Sequence, residues 1–445
     1  MRKSAALLAV LTCILAGITA GITGCAEQCV TETEMTAETI ESIEPLDPVE
    51  TEESAEPDTG SVNNETVPAV NLTHALTANP MDPADITDEE AIAWTQFALD
   101  LAAQQDEQFL ISPVSVLSAL AMITNGADGD TLTQTEAVLG LDRDSLNRTV
   151  HSYRTTHGNR ISLANSVWFR NHGFEPNHDF LQTAVDYSGA DLFAAPFDDS
   201  TVNDVNQWIS EKTGGMIPQM LDKIRPDTVM YLINAVYFEH QWERMYEGED
   251  RGTFTAADGT VQEVITLESM EESYFEDAHA TGFAKPYLWC GYNFIALLPE
   301  EGMTPAEYLA QLTGEQLHKL LKNPEKTDVR TVTPMFQTEY EADLIKNLTA
   351  LGMTDIFDSV KADLSGLGTA SGNLYVSDVK HKAVMQLDSM GTKAAAATLL
   401  GVVAECEYIP PEPEKTVILD RPFVYIIADN TTGIPLFIGT LEFVT

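Results

Sequence analysis

The chain has 445 residues and a formal net charge of −45 at pH 7, from 69 acidic and 24 basic side chains. A surface this acidic repels nucleic-acid phosphates, which excludes DNA and RNA as partners. No basic residue occurs between Lys3 and Arg143, and beyond the N-terminus no apolar run is long enough to span a bilayer.

The N-terminus is typical of an export signal. Two basic residues precede an apolar run at residues 5–20, and Ile-Thr-Gly then leads to Cys25. A Cys in this context resembles the lipobox of bacterial lipoproteins, in which the Cys is acylated after cleavage. We therefore expect a signal peptide at residues 1–24, a lipidated Cys25 and a place on the cell surface. The alternative is an ordinary secretory signal and a secreted protein.

Residues 25–86 are rich in Glu, Thr and Pro, with few aromatic and no basic residues. Such a segment cannot bury enough apolar surface to offset the entropy lost on ordering. Because its acidic side chains repel one another, the composition predicts a disordered, extended stalk. The stalk would hold a single folded domain, residues 87–445, away from the membrane.

Helices are predicted early in that domain. Thr87 and Glu90 form a capping box ahead of the apolar face of Trp94, Phe97 and Leu101. Further helices are predicted at Pro113–Thr124 and Val205–Lys212.

Strands dominate later, and the last two form a hairpin around residues 429–433. The predicted strands are Ser166–Phe169, Met230–Phe238, Asn293–Leu298, Val329–Phe336, Leu374–Val379, Phe423–Ala428 and Pro435–Phe443. Because strands and helices do not alternate regularly, the pattern favours an α+β fold with mixed or antiparallel sheets.

The sequence contains no motif for a catalytic, metal or cofactor site. It has no G-x-S-x-G, H-E-x-x-H, phosphate-binding loop or dinucleotide fingerprint. Its five cysteines show no zinc-type spacing and no disulfide framework. We expect neither an enzyme nor a cofactor.

The segment that begins at Gly391 is unusual for a loop. It reads Gly-Thr-Lys-Ala-Ala-Ala-Ala-Thr, and every second residue from Thr392 to Ala404 is small or apolar. No Pro occurs between Ser389 and Ile409, so the segment can also form an interior strand. A loop composed like a core strand indicates a segment with two alternative positions.

Several segments resemble those of serpins, and they occur in serpin order from residue 87 to the end of the chain. They are Ser112–Ser115, Ala164–Phe169, Asn206–Ile209, Thr213–Ile217, Leu232–Phe238, Lys285–Tyr287 and Leu419–Ile427. The resemblance implies a serpin fold, with helices packed around three β-sheets and an exposed reactive-centre loop at residues 389–411. It also implies a suicide inhibitor, in which a protease cleaves the loop, forms an acyl-enzyme and is trapped when the loop inserts into a sheet.

By family position, the hinge of the loop comprises Gly391, Thr392, Ala394, Ala395, Ala396, Ala397 and Thr398. Small, uncharged residues suit insertion because they add little bulk and no desolvation cost. Ser389 and Met390 replace the charged pair usual before the hinge glycine, which leaves open how the hinge is anchored. Counting from the hinge gives Glu405–Cys406 as the bond that the protease attacks. If the register slips, Val403, Ala404 or Tyr408 becomes the bait residue.

The resemblance also implies that Ser112, Ser115, Asn234 and His381 form the shutter beneath the opening sheet, with Trp242 in the breach where the loop enters. A polar cluster with a His suits hydrogen bonds that break and re-form. We expect a monomeric inhibitor of an extracellular serine protease. The alternatives are inhibition of a cysteine protease and a non-inhibitory serpin that acts as a surface binding module.

Overall fold

The computed structural model describes residues 68–392 and 413–444, except residues 106, 158–160, 227 and 247. The described helices are α1 (Asp88–Ala102), α2 (Pro113–Thr124), α3 (Gly129–Leu139), α4 (Arg143–His157), α5 (His178–Thr183), α6 (Asp199–Lys212), α7 (Pro305–Leu309), α8 (Gly314–Lys322) and α9 (Ile345–Ala350). In this part of the chain no helix has the length and hydropathy needed to cross a membrane.

The strands, in chain order, are β1 (Val70–Asn71), β2 (Leu110–Ile111), β3 (Ser162–Arg170), β4 (Glu175–Pro176), β5 (Asp191–Ala195), β6 (Met230–Tyr237), β7 (His240–Gln241), β8 (Gly248–Thr255), β9 (Val261–Glu271), β10 (Tyr274–Glu276), β11 (Ala280–Pro286), β12 (Tyr292–Pro299), β13 (Val329–Pro334), β14 (Phe336–Asp343), β15 (Gly368–Thr369), β16 (Asp378–Leu387), β17 (Gly391–Thr392), β18 (Lys415–Ile418), β19 (Phe423–Asp429) and β20 (Pro435–Leu441).

Local sequence explains where the first two helices start. The capping box predicted for α1 is present, because Glu90 N–H donates to the Thr87 hydroxyl and Thr87 N–H donates to the Glu90 carboxylate. Ser112 caps α2 and is followed by Pro113, whose fixed φ suits the first helical turn. Every residue of α2 is buried, so this helix is the centre of the apolar core.

The described strands form three main sheets. The largest, called here the large sheet, has the order β1-β5-β3-β6-β16-β14, and β17 and β7 pair beside β16 at one end. A second sheet has the order β10-β11-β12-β19-β20-β2, and a third has the order β18-β13-β9-β8. This architecture confirms the expected α+β fold with three sheets.

The centre of the large sheet is a parallel pairing of β6 with β16, called here the seam. The pairs run from Tyr231 with Asp378 to Val236 with Ala383. One side of the seam faces α2 and the main core. The other side is covered by α6 and by residues 213–229, which link α6 to β6 and contribute buried apolar side chains against β3 and β6.

Several predicted strand boundaries are wrong, including the start of β3 at Ser162 and the limits of two further strands. The strand predicted at Leu374–Val379 begins at Asp378 and continues to Leu387, because the charged residues of β16 alternate with a buried apolar face. The strand predicted at Val329–Phe336 is two strands, since the chain passes from the third sheet to the large sheet at Met335.

The predicted end of the stalk is also wrong, because residues 68–86 belong to the folded domain. Val70 and Asn71 pair with Ala194 and Phe193 and so add an edge strand to the large sheet. The composition of this stretch is polar, but its polar groups find partners on the domain.

Side chains fix the rest of this segment to the surface. The Asp186 carboxylate accepts hydrogen bonds from Asn79 N–H at 2.7 Å and from the Asn79 amide at 2.8 Å. Ala84 N–H donates to the Ser152 hydroxyl at 2.9 Å, and Gln182 Nε2 donates to Thr77 O at 3.0 Å. Residues 68–86 are therefore a strap that joins β5, α4 and α5.

Removal of this strap should destabilise the domain. A chain that starts at residue 87 loses the β1 pairing and these hydrogen bonds, each worth roughly 1 kcal/mol net, so we expect a loss of about 3 kcal/mol or more. The control is a chain that starts at residue 68. Equal melting temperatures of the two chains in calorimetry would contradict this role.

Candidate functional site

The predicted shutter residues meet at the middle of the seam. His381 Nδ1 lies 2.6 Å from Asn234 Oδ1, which joins β16 to β6. Asn234 Nδ2 donates to the Ser115 hydroxyl at 2.6 Å, and Ser112 N–H donates to His381 Nε2 at 3.2 Å. The four predicted residues therefore form one buried network that links both strands to the start of α2.

The network also contains Asn165 on β3, which the shutter prediction did not include. Its Oδ1 accepts from Asn234 Nδ2 at 2.7 Å and from the Ser115 hydroxyl at 3.4 Å. The available signal was an Asn directly before the predicted strand Ser166–Phe169. Pairing of β3 with β6 places Asn165 opposite Asn234, so the contact depends on sheet register.

The hydrogen bonds determine the state of His381. Because Nε2 accepts from a backbone N–H, the ring proton lies on Nδ1 and is donated to Asn234. Burial lowers the pKa of His381 to about 3, since the imidazolium would lose its solvation. The ring is neutral at physiological pH, and the network carries no charge.

Trp242, the residue predicted for the breach, lies at one end of the seam. Its indole N–H donates to Asp388 O at 2.9 Å, and its backbone N–H donates to Met390 O at 3.1 Å. The indole stacks on Tyr287, with ring centroids 4.5 Å apart, and the Tyr287 hydroxyl hydrogen-bonds the Thr392 hydroxyl. Trp242 and Tyr287 thus hold the first residues of the hinge.

A buried ion pair supports these rings from the side. Lys285 Nζ lies 2.6 Å from Glu271 Oε1 and 5.6 Å from the centroid of the Trp242 ring. Both charged side chains are nearly inaccessible to solvent. The pairing offsets the cost of burying the two charges.

The hinge itself differs from the expectation of an exposed loop. Gly391 and Thr392 are buried and form β17, with Thr392 opposite Leu387 on β16 and His240 on β7. A Cβ atom at Gly391 would lie 2.2 Å from His240 O, so close backbone approach requires glycine there. The first two hinge residues already lie in the large sheet.

Asp388 anchors the hinge, in which Ser389 and Met390 stand in place of the usual charged pair. Its Oδ1 accepts from Met390 N–H at 2.8 Å and from Gly391 N–H at 3.0 Å. The Ser389 hydroxyl donates to Glu249 on β8 at 2.8 Å. A short polar turn therefore replaces the usual charged pair.

The remaining predicted site residues lie outside the described part of the chain. They are Ala394, Ala395, Ala396, Ala397 and Thr398 of the hinge, the bond Glu405–Cys406, and Cys25. In the described residues no group of His, Cys, Asp and Glu side chains is arranged to hold a metal ion.

Comparison with known proteins identifies the family. A family profile described as serpin (serine protease inhibitor) matches residues 93–442. The chain belongs to the serpin family. The description of this profile is that of protease inhibitors.

Individual serpins match over most of the chain. Leukocyte elastase inhibitor A of Mus musculus is 32% identical over 377 residues, which cover 78% of this chain and 97% of the relative. The crystal structure of a thermophilic serpin, Tengpin, in the native state has a TM-score of 0.80 and 42% identity, covering 85% of this chain and all of that one. Tengpin in the latent state has a TM-score of 0.72 and 40% identity, covering 82% of this chain and all of that one.

The lowered pKa of His381 predicts that the stability of the domain depends on pH. The native pKa of His381 is about 3, and an unfolded His has a pKa of about 6.5. The unfolded chain therefore binds the extra proton, so the contribution is full above about pH 6.5 and falls as the pH drops toward 3, by up to about 1.4 kcal/mol per pH unit.

We expect the variant His381→Gln to lose less of its thermal stability between pH 7.5 and pH 5 than the wild type does. His279→Gln is the control, because His279 is a partly exposed residue outside the seam. The measurement is the difference in melting temperature between the two pH values. If this difference is the same in His381→Gln as in the wild type, His381 does not take up a proton on unfolding.

Proposed function

We propose that this serpin is a suicide inhibitor of an extracellular serine protease. The protease would be trapped as an acyl-enzyme when the cleaved loop inserts into the seam. The observation that carries the proposal is the position of Gly391 and Thr392, which already pair between β16 and β7 at one end of a seam that is otherwise closed. Insertion would extend a strand that has begun.

The register of β17 supports this proposal. Extended along β16 and β6, it places Thr398 opposite both His381 and Asn234. A Thr hydroxyl there can replace the hydrogen bond that the two shutter residues lose on separation. The polar residue Thr398 of the loop would therefore meet the polar cluster of the seam.

The alternation of the loop residues fits the same register. Thr392 is 1% exposed and faces the core, so residues 394, 396, 398, 400, 402 and 404 would share its side of the sheet. All of these are Ala, Thr, Leu or Val. The inserted strand would thus gain buried apolar surface without burying a charge.

Insertion would also move a tethered protease far from its docking position. A strand from Gly391 to Glu405 spans on the order of 50 Å at ~3.3 Å per residue. Energy for this movement comes from the metastable native sheet, so the native state is kinetically trapped.

The bait bond that we propose is Glu405–Cys406. An acidic bait residue indicates a target protease that cleaves after acidic residues. The relative from Mus musculus is named an elastase inhibitor, and its name supports Val403 or Ala404 as the bait instead. A panel that includes a Glu-specific protease and an elastase separates these targets.

The test is incubation of a chain that starts at residue 68 with this panel. We expect a complex that survives denaturing electrophoresis, and a released peptide whose mass places its first residue at Cys406. A different first residue would move the bait bond. Cleavage by every serine protease without a complex would contradict inhibition of this class, and a complex with a cysteine protease alone would change the target.

The variant Ala396→Arg tests whether insertion is required. On insertion in the register above, Arg at this core-facing position would have to lose its solvation, so the loop should be cleaved as a substrate and the yield of complex should fall at least roughly tenfold. Ser389→Arg is the control, because Ser389 precedes the inserted segment and lies beside Glu249. Equal yields from both variants would argue against insertion.

We propose further that Cys25 carries a lipid that anchors the protein to a bacterial cell surface. The lipobox-like residues before Cys25 support this proposal. Labelling of expressing cells with a radioactive fatty acid should mark the wild type and not Cys25→Ser. Equal labelling of both, or processing insensitive to inhibition of lipoprotein signal peptidase, would favour a secreted protein.

A further inference from the structure

In the described part of the chain, side chains cross the seam at the breach and at the shutter, and also at the opposite end, where β6 and β16 begin. There Arg225 Nη2 lies 3.3 Å from Asp378 Oδ2 and 3.4 Å from Ser377 O. The Ser377 hydroxyl accepts from Val229 N–H at 3.0 Å.

Arg225 belongs to the β6 side of the seam. It lies in residues 213–229, which lead directly into β6 and pack Ile217, Met220 and Leu221 against the outer face of β3 and β6. Asp378 is the first residue of β16 on the other side. The ion pair therefore joins two parts that move apart when the seam opens.

The register of β17 shows when the inserting loop reaches this pair. Extended along both strands, it places Gly401 opposite Asp378 on one side and opposite Tyr231 on the other. A new strand separates its neighbours by about a further 4.8 Å. The Arg225–Asp378 contact must therefore break or rearrange before insertion is complete.

The two partners differ in how much they depend on each other. The side chain of Asp378 is 5% exposed, whereas that of Arg225 is 54% exposed. Burial raises the pKa of Asp378 to about 6, and the positive charges of Arg225 and Lys380 act against this rise. Loss of Arg225 would leave a buried carboxylate poorly compensated, whereas loss of Asp378 would leave a cation that is about half exposed to solvent.

The other charged groups around Asp378 do not cross the seam. Lys380 on β16 lies 3.6 Å from Asp378 and 3.0 Å from Asp343 on β14, and all three residues lie on the same side of the seam. The ring of Tyr231, on β6, is neutral because burial raises its pKa. Within the described cluster, Arg225 is thus the charge that ties β16 to the β6 side.

We propose that Arg225 and Asp378 form a tether that holds this end of the seam closed and limits the rate at which loop insertion is completed. This inference rests on the insertion mechanism proposed above. It assigns Arg225 a positioning role, remote from the bond that the protease cleaves.

The test uses a synthetic peptide with the sequence of residues 391–405 and the chain that starts at residue 68. Annealing of the peptide into the seam is followed by native electrophoresis and by the gain in melting temperature. We expect Arg225→Gln to anneal about tenfold faster than the wild type, equivalent to ~1.4 kcal/mol of activation free energy. Arg225→Lys keeps the charge and should stay within about threefold of the wild type.

Two further variants make the test specific. In Arg225→Gln with Asp378→Asn both partners of the tether are absent, so annealing should stay within about threefold of the rate of Arg225→Gln. Asp343→Asn removes an ion pair on one side of the seam and should leave the rate within about twofold. Acceleration of Asp343→Asn equal to that of Arg225→Gln would overturn the tether, as would an unchanged rate in a natively folded Arg225→Gln.

The outcomes also separate this inference from the proposed function. Faster annealing in Arg225→Gln, with no protease complex from the wild type, would support the tether and reject the inhibitor. A protease complex from the wild type with unchanged annealing would reject the tether alone. Failure of the wild-type protein to anneal the peptide would reject insertion and therefore both proposals.

Discussion

The parallel pairing of β6 with β16 is the constraint on which the rest of the structure depends. It closes the centre of the large sheet. In the insertion that we propose, a new strand would take over the backbone hydrogen bonds between β6 and β16, and Thr398 would substitute at the shutter. The closed sheet would thus accept one more strand.

In the proposed mechanism, buried polar groups along the seam would set the balance between the closed sheet and the sheet with the loop inserted. The shutter is neutral, because His381 is held as an uncharged ring with both nitrogens hydrogen-bonded. At the far end, burial of the Asp378 carboxylate acts against its ionisation, so its charge depends on nearby cations. Neutral hydrogen bonds exchange at low cost, whereas a buried charge resists separation from its partner, so the three crossings differ in how they oppose opening.

Local signals in the sequence predicted the elements whose causes are local. The capping box at Thr87 and the apolar run of α2 located their helices, and the hairpin at residues 429–433 was correctly placed. The resemblance to serpins named Ser112, Ser115, Asn234, His381 and Trp242, and the structure places all five at the seam. It did not name Asn165, because the contact of Asn165 with Asn234 depends on the register between β3 and β6.

By itself the sequence determined the acidic surface, the α+β composition and a loop segment with the period of a buried strand, because charge and hydrophobic pattern are properties of the chain. Only the tertiary structure decided that residues 68–86 are folded, that Asp388 anchors the hinge and that Arg225 faces Asp378. Each of these depends on partners more than 100 residues away or on a backbone turn. A polar segment is ordered or disordered according to whether such partners exist, and that information is absent from local composition.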